Sequence, residues 1–130
     1  MRIARDVFEL AFVRWDLDGA LQFVDERCVM DWSASLAPYR GIYQGHEEIR
    51  DTWQHWRDAW DEWTPEVTEA IEVDDDTVVL VTLIHARGKG SGVPVRAGGA
   101  IALTVLDGKV TRARLFQGRG EALEAVGLSQ

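Results

Sequence analysis

The chain has 130 residues, with 22 acidic and 14 basic side chains and a formal charge of −8 at neutral pH. A single domain of that length buries one core without cross-links, and an acidic balance with no basic cluster argues against nucleic acid and anionic membranes as partners. The lone cysteine, Cys28, excludes an internal disulfide and fits a cytoplasmic setting. Charges scattered through residues 1–12 and the lack of a long apolar run argue against a signal peptide and a membrane span.

In chain order, residues 3–15 place Ile3, Val7, Leu10 and Ala11 on one helical face, with Phe8, Phe12 and Trp15 beside it. A short second helix starts near Asp18, with Asp16 or Asp18 as its N-cap, so the two make a bent helical hairpin. Cys28 to Ser33 reads as a short strand in which Cys28 is a small buried hydrophobe. Ser35 to Tyr39 is a loop, and Gly41 to Tyr43 a brief extended piece. Next, Ile49, Trp53, Trp56, Trp60 and Trp63 recur at helical offsets. They predict one amphipathic helix from about His46 to Trp63, closed by Thr64-Pro65. The aromatic wall it carries is either core alone or the lining of a cavity, where buried indole N–H groups would need acceptors.

Strands are expected over residues 66–73, 77–87, 94–106 and 110–117, with Asp74 to Asp76 and a glycine-rich stretch at the first two turns. Asp107-Gly108 is a two-residue hairpin signal. A short helix over 118–127 ends the chain. Helices first and strands second imply an α+β fold, a single domain over 1–130. The expected form is a cone: a curved antiparallel sheet wrapped round the long helix, with the N-terminal helical hairpin closing one end. Ala100 and Ala102, on the sheet's outer face, need covering, which predicts a homodimer through that face.

Several local motifs then carry a resemblance. Asp16-Leu17-Asp18-Gly19-Ala20-Leu21, the run Tyr39-Arg40-Gly41-Ile42-Tyr43-Gln44-Gly45-His46-Glu47-Glu48-Ile49-Arg50, Asp107-Gly108-Lys109-Val110 and the closing Glu121 to Leu128 resemble the SnoaL-like branch of the nuclear transport factor 2-like superfamily. The resemblance covers essentially the whole chain and implies the cone fold. It does not settle an activity, because the superfamily includes polyketide cyclases, ketosteroid isomerases, epoxide hydrolases, dehydratases and members with no known activity.

Asp31 is the first candidate for chemistry. It lies between Met30 and Trp32, and the resemblance puts it where ketosteroid isomerases carry their general base. Facing an apolar cavity, its ionised form would be disfavoured by desolvation, which suits proton transfer near neutral pH. The alternative is a structural aspartate bonded to Ser33, Ser35 or an indole N–H. The isomerase's oxyanion donors are missing: Phe8 stands where that family has tyrosine, and Ala100-Ile101-Ala102 where it has a protonated aspartate. The aspartate–arginine–aspartate relay of the epoxide hydrolases is not assembled either.

His85 is the second candidate. It shares a strand face with Val79, Val81 and Leu83, which the resemblance turns into the cone, where an imidazole could act as acid or orient a substrate oxygen. The alternative is a solvated strand-end histidine. Trp53, Trp56 and Trp60 form the expected wall of a substrate site, with Tyr43, Leu83 and Gln117 as further lining and Tyr39 as a secondary candidate. His46 is read as opening the long helix and His55 as lying beside its tryptophan stripe. Scattered histidines at 46, 55 and 85 make no metal motif, and no cofactor is expected. Arg112 and Arg114 read as dimer-face or surface charges. The expected function is a small cofactor-independent enzyme performing an isomerase, cyclase or dehydratase type of proton transfer on a hydrophobic carbonyl compound. The alternatives are a non-catalytic binding protein for a hydrophobic small molecule, and a cone filled by its own side chains that only dimerises.

Overall fold

The structure, a computed structural model, describes residues 2–33, 41–88, 90 and 92–127. The loop over Ser35–Tyr39, and with it the candidate Tyr39, lies outside the described residues. Helix α1 (Arg2–Phe8) runs into a wider π-helical turn (Glu9–Val13), in which the Arg14 N–H reaches back to the Glu9 carbonyl at 2.9 Å. Helix α2 (Leu17–Leu21) follows, capped by Asp16, whose carboxylate accepts from the Gly19 N–H at 3.0 Å. The expected helical hairpin is therefore present, with Asp16 rather than Asp18 as its cap.

Strands β1 (Val24–Asp31), β2 (Ile42–Gln44), β3 (Trp60–Glu72), β4 (Thr77–Gly88), β5 (Pro94–Leu106) and β6 (Lys109–Phe116) form one six-stranded sheet in the order β2-β1-β6-β5-β4-β3. The sheet is mixed, because β1 runs parallel to β6 while every other pair is antiparallel. Asp107 and Gly108 both have positive φ, 53° and 78°, the backbone required by a tight two-residue hairpin. At the β3–β4 turn the Asp74 carboxylate accepts from the N–H groups of Asp76 and Thr77, both at 2.8 Å.

Helix α3 (Gly45–Asp58) packs on the inner face of this sheet and buries Ile49, Trp53 and Trp56. Glu47 and Glu48 in its first turn and His55 and Arg57 in its last suit the helix dipole. His46 Nε2 donates to the Val24 carbonyl at 2.7 Å, tying the helix to β1. Helix α4 (Arg119–Ala125) lies on the outer face, where Ala122 and Leu123 pack with Val79, Ala100 and Ala102. Arg119 Nε donates to Glu69 Oε1 of β3 at 2.9 Å. Ala100 and Ala102 are buried under the chain's own last helix, which supplies the cover that a second copy was expected to give.

The long helix ends earlier than its periodicity implied. Trp60 and Trp63 belong to β3, and Pro65 lies within that strand instead of closing a helix. A bulge explains the misleading spacing. Trp60 pairs with Gly88, Glu62 with Arg87 and Trp63 with Ala86, with a register shift between Trp60 and Glu62. Two residues there oppose one, so side chains three apart both face inward, and a strand copies the helical interval. Pro65 is tolerated because β3 is an edge strand. Among the described residues, no helix is long and apolar enough to cross a membrane.

Candidate functional site

Register divides the sheet into two chemically distinct faces. Inner positions on β4 are Val78, Leu80, Thr82, Ile84 and Ala86. Opposite Leu80 and Val78 lie Ile101 and Leu103 of β5, which face Leu115 and Ala113 of β6. On β1, Cys28 and Met30 are buried on this side, as is Trp32 just beyond the strand's end. These residues and the apolar side of α3 enclose an aromatic lumen. Its centre is Trp56, whose ring lies edgewise 5.5 Å from Trp32, 5.6 Å from Trp60 and 5.3 Å from Trp63. Each such pair contributes about 0.5–1.5 kcal/mol beyond area burial. The Trp63 indole N–H donates to the Phe12 carbonyl at 2.9 Å, anchoring β3 to the π-helical turn.

Three spaces follow one another through this lumen. The mouth, about 360 Å³, lies between Trp56, Trp60 and Trp63 on one side and Ile84, Ala97 and Gln117 on the other. A constriction of about 40 Å³ shares Trp56, Trp63, Thr82, Ile84 and Leu115 with it. A second space of about 40 Å³ lies deeper, among Phe8, Met30, Trp32, Trp53 and Leu103. The mouth is large enough for a small organic molecule, whereas the deeper spaces each hold a group of methyl or hydroxyl size. Thr82, Gln117, the Cys28 thiol and the indole nitrogens are the polar groups of the lining. The indole N–H groups of Trp53 and Trp60 are buried without an acceptor. Burial pushes the Cys28 thiol up to about 12, with the Asp25 carboxylate adding to the shift. It is therefore a neutral thiol and a poor nucleophile.

Of the expected lining, Trp53, Trp56, Trp60 and Gln117 border these spaces. Tyr43 does not; its half-buried ring packs edgewise on Trp32 at 6.2 Å. The ionisable candidates lie elsewhere. Asp31 pairs in register with Arg114, an outer-face position, because alternation along β1 turns Met30 and Trp32 inward and sends the residue between them outward. Its carboxylate accepts from the Ser33 hydroxyl and from the Ser33 N–H at 2.9 Å. The hydroxyl bond is the main reason its pKa falls below the usual 3.8, with Arg112 and Arg114 adding to it. The desolvated, raised carboxyl expected from the sequence is replaced by a stabilised carboxylate.

His85 is exposed and pairs with Thr64 and Arg96, again on the outer face. Leu83 shares that face, opposite Glu66 and Gly98. Both were assigned to the lumen by reading the odd-numbered residues of β4 as inward, whereas the even-numbered ones are. Trp32, Thr82 and Leu115 are lining residues that the sequence reading overlooked. Trp32 was visible in the alternation Cys28, Met30, Trp32. On β4 both faces are apolar, so alternation alone leaves Thr82 undecided. Among the described residues, no three His, Cys, Asp or Glu side chains group closely enough to hold a metal ion.

With this geometry in place, comparison with known proteins adds the lineage. A putative polyketide cyclase from Xanthomonas campestris shares the fold at a TM-score of 0.71 and 18% identity, over 96% of this chain and 94% of that one. An NTF2-like protein of unknown function from Burkholderia pseudomallei aligns at a TM-score of 0.79 and 19% identity, covering 98% and 96%. A protein from Mycobacterium tuberculosis, solved in complex with estradiol-17beta-hemisuccinate, aligns at 0.72 and 17%, covering 88% and 89%. No curated protein matches the sequence. The SnoaL-like domain family matches residues 4–113, most of the chain, and the protein belongs to that family.

Proposed function

We propose that the chain binds a hydrophobic small molecule in the lumen of its cone, with the rings of Trp56, Trp60 and Trp63 against the ligand's faces. One observation carries this: an uncharged, indole-walled space of about 360 Å³ opens to solvent and continues inward past Thr82. Stiff aromatic side chains lose little conformational entropy when a ligand packs on them, so such a wall binds flat apolar molecules well. The buried N–H groups of Trp53 and Trp60 would gain from an acceptor on the ligand, since leaving such a donor unpaired costs about 1–3 kcal/mol. The M. tuberculosis relative crystallised with a steroid ester has this fold, which supports the choice of ligand class. The described lining offers no carboxylate or imidazole for proton transfer, so binding is favoured over the isomerase, cyclase or dehydratase chemistry first expected.

A titration of tryptophan fluorescence with a panel of aromatic and polycyclic ketones tests this. A saturable quench or blue shift at micromolar ligand is expected. Ala97→Trp, which fills the mouth from an exposed position, is expected to weaken it about tenfold or more. An unchanged spectrum across the panel, or equal binding by the Ala97→Trp variant, would overturn the proposal. If a ligand is turned over, Asp31→Asn and His85→Ala report whether the outer-face groups take part.

A further inference from the structure

Beside the mouth lies a second recess of about 460 Å³, walled by Trp15, Trp60, Trp63, Arg57, Asp58 and Asp61. We propose that it is a binding site for a monovalent organic cation, an alkylated ammonium group. Three indoles border it, with Trp63 centred 6.2 Å from Trp15 and 5.7 Å from Trp60. The face of an indole is the strongest side-chain partner for a cation that keeps few water molecules, and several together recognise substituted ammonium groups. Two carboxylates, Asp58 and Asp61, and one guanidinium, Arg57, belong to the wall, which therefore carries a net charge of minus one; Asp58 Oδ1 also accepts from Gln54 Nε2 at 3.2 Å.

The chain already uses one of these rings in this way. The Arg57 guanidinium lies over the Trp15 ring, 5.8 Å from its centroid. Arg57 is exposed and belongs to the last turn of α3, so it occupies Trp15 as a tethered and displaceable competitor. The site does not depend on occupancy of the cone, although Trp60 and Trp63 border both. One molecule with an apolar body and a cationic end would reach both spaces.

The test uses choline and its uncharged isostere 3,3-dimethylbutan-1-ol, titrated into the full chain at constant ionic strength. The indole N–H resonance of Trp15, a ring outside the cone, is followed by nuclear magnetic resonance. Choline is expected to shift that resonance saturably and to bind about three- to tenfold more tightly than the alcohol. Asp58→Asn with Asp61→Asn is expected to erase most of that preference. Arg57→Gln, which removes the competing cation, is expected to raise choline affinity about threefold. All three substitutions are at exposed positions, and melting temperatures verify that the variants fold. Equal affinity for choline and the alcohol, or an Arg57→Gln variant that binds choline no better, would overturn the proposal. The ketone titration in the same sample separates the two sites: if choline fails while the ketone binds, the cation site falls and the cone reading stands.

Discussion

The inner and outer faces of the sheet are built from the same strands yet follow opposite rules. Inside, aromatic rings meet edge to face and no described lining side chain is ionised. Outside, Glu69 holds Arg119, Glu62 lies 3.5 Å from Arg87, and Asp31 lies beside Arg112 and Arg114. Among the described residues, the buried apolar cluster on that face lies under α4. Which face a residue joins is set by one step of register, so a catalytic candidate chosen by type must also be placed by parity.

Four substitutions would break or sharpen that contrast. Trp56→Ala removes the ring at the centre of the inner cluster and is expected to cost about 3–5 kcal/mol in chemical denaturation. A loss under about 1 kcal/mol would mean that the lumen does not rest on that ring. On the outer side, Leu123→Ala is expected to cost about 2–3 kcal/mol and to speed proteolysis near residue 118, because α4 docks chiefly through Leu123 and Ala122. Unchanged proteolysis would show that α4 is held mainly by other contacts, such as Arg119 with Glu69.

His46→Ala leaves the Val24 carbonyl without its imidazole donor and is expected to cost about 1–2 kcal/mol by the same measurement. The smallest effect belongs to Asp31→Asn, under about 1 kcal/mol at neutral pH because the site is solvent-screened. Its sign follows from linkage. The folded carboxyl titrates below 3.8, so its contribution is present above that pH and is lost as the pH falls through the lower folded value. The deficit of the Asn variant in thermal melts is therefore expected to close in acid. A deficit that persists there would trace to shape rather than charge.

Much of the fold was legible because local chemistry and tertiary structure agree. The β5 boundaries, the Asp107-Gly108 hairpin and the Asp16 cap follow from turn and capping residues acting over a few positions. The site was harder to read. Trp53, Trp56 and Trp60 were placed on the wall by helical spacing and Gln117 by its place at the end of a strand, yet Trp60 reaches the lumen from a bulged strand, and a bulge has no reliable mark in one sequence. Asp31 was misplaced although the alternation around it was visible, because the family pattern outweighed the parity of Met30 and Trp32. His85 and Leu83 were misplaced for a different reason: β4 is apolar on both sides at Val78, Val79 and Leu80, so its pattern carries no parity.

Strand β3 has a consequence for how the protein behaves in a crowded solution. It is 13 residues long and is paired on one side only, so its free edge could template another chain. Two register shifts interrupt the strand, Pro65 carries no N–H, and Glu62, Glu66, Glu69 and Glu72 add negative charge along it. At the sheet's other margin β2 is three residues long. The same bulge that turns Trp60 and Trp63 into the cone thus also spoils the regular row of donors and acceptors that an incoming strand would need.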